Sequence, residues 1–225
     1  IGFDMGCGTG RWAKYVAPKV KILNCIEPSN AIIIAKKNLH ENKNVKYFKE
    51  TTENCSLITS SQDFGYCLGV LHHIPNTQNA LNDCTRLLKS GAPMLLYLYY
   101  NFENKPAWFG AVWKLSDYIR KFISISPKPI KNSLSSLIAY LVYFPFVKSA
   151  YMLEKIGFNV ENIPLSDYRN KPFYHCKNDA LDRFGTRLEQ RFSKSEITKM
   201  LTNSGCENVR FSQSTPFWCS VAFKK

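Results

Sequence analysis

The sequence predicts an α/β protein with a mostly parallel, seven-stranded sheet and a helical insertion. Short apolar runs alternate with amphipathic segments over the first hundred residues, and the first run ends in a glycine-rich turn. The alternation stops near residue 100 and resumes near residue 193. Alternating strands and helices form parallel sheets that are covered on both faces. The 225 residues, of which 45% are hydrophobic, can form one sizeable core.

Turn and cap signals divide the first hundred residues into five strands and three helices. The strands are expected at Ile1–Met5, Lys21–Ile26, Val45–Phe48, Phe64–Val70 and Pro93–Tyr100. The helices are expected at Arg11–Val16, at Ala31–Leu39 and from Asn76 to Gly91. Pro18 stops the first helix, and the side chains of Ser29 and Asn76 can accept hydrogen bonds from the first-turn amides of the other two. Gly91 suits the position after a helix end.

The stretch from residue 101 to residue 190 interrupts this alternation. It carries two apolar helical patterns, at Ala107–Ile123 and Ser133–Ile156, followed by the polar tract Asp179–Arg191. The charges of this tract fit a solvated face, a substrate clamp or salt bridges between elements. We therefore expect a core at residues 1–100 and 191–225, with a mostly helical insertion or cap at residues 101–190.

The core pattern resumes after the insertion. Ser193 and Glu196 have the spacing of a capping box and predict a further helix. Two final strands are expected at Glu207–Phe211 and Trp218–Phe223, joined through Pro216. The sheet therefore gains its sixth and seventh strands from the end of the chain.

Composition limits the compartment and the partners. The formal net charge is +13, but the Lys and Arg residues are scattered, so the charge fits either a solvated surface or an anionic partner. The eight cysteines form no CxxC pair and no metal-ligand spacing, which favours a reducing, cytoplasmic setting and predicts no metal site. The chain opens at Ile1 within a motif, so we expect an N-terminally truncated core.

A glycine-rich turn follows the first strand, in the segment Asp4-Met5-Gly6-Cys7-Gly8-Thr9-Gly10. Glycines permit a tight turn and let a ligand lie against bare backbone, where a Cβ would clash. The spacing Gly8-x-Gly10-x-x-Ala13 also fits a dinucleotide fingerprint. Asp4 argues against that alternative, because a carboxylate at this place repels a pyrophosphate. It suits a ligand that carries an ammonium and a sulfonium group.

With the downstream run Leu68-Gly69-Val70-Leu71-His72-His73-Ile74-Pro75, the glycine turn resembles the class I S-adenosylmethionine-dependent methyltransferase family. The resemblance covers residues 1–100 and 192–225. It implies a Rossmann-like sheet in the order 3-2-1-4-5-7-6, with the last strand antiparallel. It also implies S-adenosylmethionine as the cofactor.

The same resemblance implies a set of cofactor-binding residues. The glycine turn would cradle the methionine part of the cofactor, and Glu27 would bind the two ribose hydroxyls. Gly69 would lie beside the transferred methyl group. The family usually has an Asp after the third strand that holds the adenine amino group, but Lys49–Asn54 contains none, and Thr52 or Glu53 would substitute for it. The predicted cofactor contacts are Asp4, Gly6, Cys7, Gly8, Gly10, Glu27, Thr52 and Gly69.

His72 and Tyr99 are the candidate catalytic residues. Histidine titrates near neutrality and can act as a general base, although His72 and His73 also fit the ordinary turn of the family. Tyr97 and Tyr99 are expected on one face of the fifth strand and Tyr100 on the other. A substrate at the end of this strand would lie near one of these tyrosines.

The sequence leaves three functions open. The first is methyl transfer to a small-molecule acceptor, such as a hydroxyl of a sugar, a glycan precursor or a secondary metabolite. The second is an RNA or a lipid or quinone methyltransferase. The turn Leu71-His72-His73-Ile74 lacks the Asn/Asp-Pro-Pro-aromatic pattern of nucleic-acid amino methylation, which argues against a nucleic-acid partner. The third is a non-catalytic, membrane-associated binding protein.

The insertion contains the uncharged stretch Leu134–Val147. This stretch is too short to cross a bilayer, and Pro145 and Lys148 interrupt or bound it. We expect a buried cap helix here. Peripheral membrane contact and a dimer surface are the alternatives, and the sequence leaves the oligomeric state open.

Overall fold

The fold is described from a computed structural model of residues 1–161, 163–214 and 217–225. The chain divides into two compact units, a core unit and an insertion unit. The core unit comprises residues 1–100 and 190–225, and the insertion unit comprises residues 101–189. The predicted connection through Pro216 lies outside the described residues.

The core unit is built on one seven-stranded sheet. Its strands are β1 (Gly2–Met5), β2 (Leu23–Ile26), β3 (Val45–Phe48), β4 (Phe64–Leu68), β5 (Pro93–Tyr97), β6 (Cys206–Phe211) and β7 (Cys219–Lys224). Their order is β3-β2-β1-β4-β5-β7-β6. The first five strands are parallel, and β7 is antiparallel to both of its neighbours. The predicted fold class, strand order and antiparallel last strand are confirmed.

The helices are numbered along the chain through both units. They are α1 (Ala13–Val16), α2 (Ala31–Asn38), α3 (Thr77–Arg86), α4 (Ala107–Ser124), α5 (Lys128–Ile138), α6 (Phe144–Lys155), α7 (Phe173–Gly185) and α8 (Lys194–Asn203). Short 3₁₀ turns at Ala17–Lys19 and Leu71–His73 belong to the core unit. All four residues of β1 and of β2 are buried, as expected for central strands that are covered on both faces.

The predicted caps of α3 and α8 are present. The side chain of Asn76 accepts a hydrogen bond from the amide of Asn79 at 3.0 Å. At the start of α8, the Ser193 hydroxyl accepts from the Glu196 amide at 3.1 Å, and the Glu196 carboxylate accepts from the Ser193 amide at 2.7 Å. This reciprocal pair is the predicted capping box. The cap of α2 differs from the prediction: Asn30 precedes the helix and makes no side-chain cap bond, although the Ser29 hydroxyl accepts from the Ala31 amide at 3.1 Å.

Several boundaries differ from the prediction, among them the end of β5 at Tyr97 rather than Tyr100, and two of the differences arise where turns intervene. Helix α3 ends at Arg86 rather than at Gly91, because the amides of Ser61 and Gln62 both donate to the Leu87 carbonyl at 2.9 Å. Strand β4 ends at Leu68, since Gly69 has a φ of +80° and turns the chain away from the sheet.

The insertion unit is helical, as predicted, but two of its elements differ. The helical pattern expected at Ser133–Ile156 is present, and Pro145 does not end it. Helices α5 and α6 are joined through a π-helical segment, Ala139–Tyr143, into one helix from Lys128 to Lys155. Proline lacks the amide that an α-helix would use, and a widened turn just before it removes that requirement.

The prediction of a buried cap helix is wrong. By length and composition, the Lys128–Lys155 helix is apolar enough to cross a membrane. Only 22% of its most apolar 18-residue stretch is buried. One side packs inside the insertion unit through Ala139, Tyr143 and Val147. The other side is exposed.

The second difference is helix α7, which the sequence analysis did not predict. It occupies Phe173–Gly185 and includes part of the polar tract. Among the three interpretations of the tract, salt bridges fit best, because Arg183 forms a buried ion pair with Glu189.

Candidate functional site

The glycine turn is anchored to the neighbouring strand by its backbone. The amides of Gly6 and Cys7 both donate to the Ile26 carbonyl at the end of β2, at 2.8 and 3.1 Å. The Cys7 side chain is buried in the core cluster around α2, and the neighbouring Cys25 thiol and burial raise its pKa well above the ordinary value. Cys7 therefore offers a ligand its backbone rather than its thiol.

Gly8 lies at the open point of the turn. Its φ is +54°, and a Cβ added there would meet no atom within 4 Å. At Gly6, by contrast, a Cβ would lie 2.5 Å from the Val70 side chain. Gly6 is thus required by the packing of the turn, whereas the space beside Gly8 is available to a ligand.

Glu27 joins the glycine turn to the start of α2. One of its carboxylate oxygens accepts a hydrogen bond from the Gly8 amide at 3.1 Å, and the other accepts from the Ser29 amide at 3.0 Å. These two bonds fix the carboxylate at the end of β2. Each carboxylate oxygen can accept a second hydrogen bond, so Glu27 is able to bind a pair of ligand hydroxyls.

Asp4 is a buried acid at the end of β1. Its side chain is 2% exposed, and one oxygen has no hydrogen-bond partner among the described residues. Burial raises the pKa of Asp4 to about 7, the nearby Tyr66 hydroxyl opposes this shift, and the charge of Glu27 adds to it. A buried carboxylate with an unsatisfied oxygen is stabilised by a cationic ligand group.

The residues of the glycine turn and its surroundings fit S-adenosylmethionine. The unsatisfied Asp4 oxygen suits an ammonium, the anchored Glu27 suits ribose hydroxyls, and the space beside Gly8 suits a ligand that lies on bare backbone. Gly10 (φ +83°) completes the turn. Thr52 follows β3, where its side chain is largely buried.

Gly69 follows β4, and its amide donates to the Tyr97 carbonyl at 3.0 Å. The predicted cofactor contacts therefore lie at the carboxyl ends of the parallel strands β1 to β4 or in the segments that follow them. This edge is where open α/β sheets bind their ligands.

An aromatic cluster follows β4 and β5 at the same edge. The rings of His72 and Tyr99 are stacked, with centroids 3.7 Å apart and planes inclined by 25°. His73 lies against His72 at 4.1 Å, and Tyr97 lies 6.1 Å from Tyr99. The guanidinium of Arg191 lies over the Tyr99 ring at 5.2 Å. The structure thus brings together the two candidate catalytic residues.

The burial of His72 does not fit the predicted role of general base. The side chain is fully buried, and burial lowers its pKa to about 2, with the charges of His73 and Arg191 acting in the same direction. An imidazole with this pKa takes up almost no protons near neutrality. Neither ring nitrogen has a hydrogen-bond partner among the described residues.

We expect His72 itself to show no titration near pH 6.5, where an ordinary histidine titrates. In histidine NMR spectra, the His72 resonances should stay constant between pH 5 and 8. A His72 titration centred near pH 6.5 would contradict the buried, neutral ring.

The sequence analysis missed how the cluster is held in place. The Gln190 amide donates to the His72 carbonyl at 3.0 Å, and its side chain donates to the Ile74 carbonyl at 2.7 Å. Arg191 donates to the Tyr100 carbonyl at 3.1 Å, and the Phe192 amide donates to the Tyr99 carbonyl at 2.9 Å. Backbone carbonyls are the acceptors in every case, so no side-chain pattern could reveal these contacts.

The strand order and the turn after β1 define a class I S-adenosylmethionine-dependent methyltransferase fold. The chain aligns with a structure from Methanosarcina mazei described as a SAM-dependent methyltransferase, with a TM-score of 0.56 and 16% identity over 99% of this chain and 91% of the other. A SAM-dependent methyltransferase from Thermotoga maritima, described as a possible histamine N-methyltransferase, aligns with a TM-score of 0.52. Its identity is 17% over 100% of this chain and 82% of that one.

The family model described as a methyltransferase domain matches residues 3–96 of the chain. Among sequence relatives, the ubiquinone biosynthesis O-methyltransferase of Saccharophagus degradans is 28% identical over 123 residues, which cover 53% of this chain and 51% of the relative. The enzyme of the same name from Coxiella burnetii is 27% identical over 93 residues, or 40% of each chain. The chain thus spans about half or less of the length of these relatives.

Proposed function

We propose that this chain transfers a methyl group from S-adenosylmethionine to a hydroxyl of a small molecule. The observation that carries this proposal is the Asp4, Gly8 and Glu27 arrangement, which provides a buried acid, an open backbone and an anchored carboxylate at one sheet edge. Bound S-adenosylmethionine supplies a methyl group that is already activated by its sulfonium. The protein then has mainly to align the acceptor and exclude water.

Each part of the site has a separate task in this proposal. Asp4 would bind the ammonium and Glu27 the ribose hydroxyls, while the backbone at Gly8 would support the chain between them. Thr52 would take the place of the usual adenine-binding Asp. The ring of Tyr99, which is stacked on the buried His72, is an aromatic surface that can orient an acceptor. Neutral, buried His72 would hold the Tyr99 ring in place rather than remove the proton of the acceptor hydroxyl.

The acceptor class that we propose first is a lipophilic hydroxylated aromatic compound of the quinone-precursor type. It is supported by the names of the sequence relatives and by the aromatic character of the cluster around Tyr99. Aromatic rings stack on such a surface more favourably than sugars do. Nothing comparable supports the sugar or glycan acceptor, which remains the second class to test. The eight free cysteines support our proposal of a reducing, cytoplasmic setting.

Methyl transfer from isotope-labelled S-adenosylmethionine tests the acceptor class. A polyprenylated catechol, a short-chain catechol, a set of sugars and an unfractionated RNA would be compared as acceptors. We expect label in the catechols and none in the sugars or the RNA. Label in sugars or RNA alone would contradict the proposed acceptor and leave cofactor binding intact.

Replacing Glu27 with Ala should weaken S-adenosylmethionine binding about 100-fold or more. Two hydrogen bonds to a charged group contribute about 1.5–3 kcal/mol each, and the substitution removes both. Glu41→Ala is the matched control, because Glu41 is a highly exposed acid in the same unit. Calorimetric titration of both variants makes the comparison. Equal affinities would show that the ribose hydroxyls are bound elsewhere.

A further inference from the structure

Helix α4 of the insertion unit buries the polar residues Arg120 and Ser124 together with Ile123, and it exposes most of its large apolar residues. Arg120 is 3% exposed and donates to the Asp117 carboxylate at 2.6 Å and to the carbonyls of Thr186 and Arg187 at 3.0 and 2.9 Å. Ser124 on the same side is also buried. Helices of water-soluble proteins usually have the opposite arrangement, with the apolar side buried.

A second buried arginine extends this polar interior. Arg183 of α7 donates to the Ser116 hydroxyl at 2.9 Å and lies 5.2 Å over the Trp113 ring. It also forms the ion pair with Glu189, whose side chain is fully buried. The polar side of α4 is therefore fixed inside the unit by specific bonds, so the helix cannot rotate to bury its apolar side without breaking them.

The outer side of α4 is a continuous apolar stripe. Leu115 is 66% exposed and Phe122 is 71% exposed. Together with their neighbours they recur at alternating intervals of four and three residues, which places them along one side of the helix. The stripe, called the α4 stripe below, consists of Trp108, Val112, Leu115, Ile119 and Phe122.

The Lys128–Lys155 helix repeats this arrangement. Its inner side packs through Ala139 and Val147, and the buried Tyr143 hydroxyl donates to Asp179 at 3.1 Å. Its outer side exposes large apolar residues, among them Leu137, Tyr140, Leu141, Phe144 and Met152. Exposed apolar surface on this scale marks an interaction site.

Lysines accompany the exposed aromatic residues on both helices. The ammonium of Lys121 lies 5.6 Å from the Tyr118 ring, and that of Lys148 lies 5.6 Å from the Phe144 ring. Lys155 lies 4.7 Å from the Tyr151 ring. Lysine side chains at a membrane interface lay their apolar carbon chains along neighbouring groups and keep their ammonium groups in water. Aromatic residues are also enriched at this interface.

Charge selects the kind of membrane. The segment from Ala107 to Lys155 has seven Lys and Arg residues and two Asp and Glu residues. Both acids are bound by arginines: Asp117 by Arg120, and Glu154 by Arg169 at 2.6 Å. The segment is therefore strongly positive, which complements the negative surface of an anionic bilayer.

We propose that the insertion unit docks on the surface of an anionic lipid bilayer through the α4 stripe and the exposed side of the Lys128–Lys155 helix. The helices lie in the interface and do not span the membrane, because their inner sides hold buried polar bonds within the unit. The apolar side chains enter the headgroup boundary, and the lysines contact lipid phosphates. Docking requires neither cofactor nor acceptor, so it is independent of the proposed methyl transfer.

Cosedimentation of the full chain with vesicles tests this proposal. Phosphatidylcholine vesicles with and without about one third phosphatidylglycerol would be compared at low salt and at about 0.5 M salt. We expect binding to the anionic vesicles at low salt and weaker binding in the other conditions. The double substitution Leu115→Ser and Phe122→Ser should reduce the partition coefficient about tenfold or more, because it removes two large exposed apolar groups.

The double substitution Ile33→Ser and Ile58→Ser is the matched control. Both isoleucines are exposed in the core unit, and we expect their replacement to leave vesicle binding unchanged. A folded chain that stays in the supernatant with every vesicle would overturn the proposal. Binding that does not depend on lipid charge and is not removed by alkaline carbonate would show that the helix spans the membrane, which contradicts surface docking. The chain could instead form a stable dimer in sedimentation velocity and bind no vesicles. If the α4 variant then lost the dimer, the α4 stripe would be a contact between two copies of this chain.

Discussion

The Asp4→Asn variant is expected to lose S-adenosylmethionine binding and to become more stable at the same time. Asp4 is buried with one unsatisfied oxygen, and it is the acid that the proposed site offers to the ligand ammonium. Removing one partner of a buried ion pair costs about 3–5 kcal/mol, so the affinity should fall at least about 100-fold. Calorimetric titration of the variant measures this loss.

The gain in stability follows from the raised pKa of Asp4. The folded-state pKa is about 7, above the ordinary value of 3.8. Below about pH 4 the carboxyl is protonated in both folded and unfolded chains and costs nothing. As the pH rises towards 7, Asp4 ionises first in the unfolded chain. The free energy of unfolding of the wild-type protein therefore falls by up to about 4 kcal/mol, and this fall is complete above pH 7.

Asparagine cannot ionise, so the variant should be more stable than the wild type by about 2–4 kcal/mol at pH 8, with the difference vanishing towards pH 4. Denaturant titrations at the two pH values measure it. Asp63→Asn is the control, because Asp63 is exposed and paired with Lys89 at 2.6 Å. It should neither gain stability at pH 8 nor lose cofactor affinity. If the Asp4 variant were destabilised equally at both pH values, the raised pKa of the buried Asp4 carboxyl would be contradicted.

Replacing Gly8 with Val should abolish detectable cofactor binding, with a loss of at least about 100-fold, or about 2.7 kcal/mol. A side chain at this position enters space that no protein atom occupies within 4 Å, so the clash is with the ligand and not with the fold. The left-handed backbone adds about 1–2 kcal/mol of strain to the folded protein. Stability should therefore fall modestly while affinity falls steeply.

Gly91→Val separates these two effects. Gly91 also has a positive φ, of +77°, and open space around its Cβ position, but it lies in the turn before β5 rather than in the glycine turn. Its substitution should give a similar loss of stability and leave affinity unchanged. If both variants bind equally well, the ligand does not lie against the backbone at Gly8.

The core of the fold was predictable because local and long-range signals agree there. Asn76 and the Ser193–Glu196 pair are cap residues whose bonds are made within a few residues of the chain, so their spacing alone predicts them. The buried runs of β1 and β2 are uninterrupted, as central parallel strands require. The strand order came from the resemblance to a family, since no local pattern specifies it.

The insertion unit was less predictable because its polarity is inverted. Helix α7 carries a polar side that is satisfied inside the unit by Arg183 and Asp179, so it resembled a solvated tract. The long helix passes Pro145 through a π-helical segment, which has no signal in single-residue propensities. In each case a contact distant in sequence decided the outcome.

The positions of the candidate residues were predictable, but their electrostatics were not. Asp4, Gly8 and Glu27 lie together at the sheet edge, as the motif implies. Burial lowers the pKa of His72 to about 2, and the charges of His73 and of Arg191, more than a hundred residues away, act in the same direction. Residue type suggested a base, and burial changed that chemistry.

Calorimetric titration of the wild-type chain with S-adenosylmethionine, with NAD as control, tests the central claim most directly. The site predicts one-to-one binding of S-adenosylmethionine with a dissociation constant on the order of micromolar at pH 8, weakening about tenfold per unit below pH 7 as Asp4 takes up a proton. NAD should give no heat of binding, because Asp4 repels its pyrophosphate. A folded chain that binds NAD, or that binds neither ligand, would contradict the account.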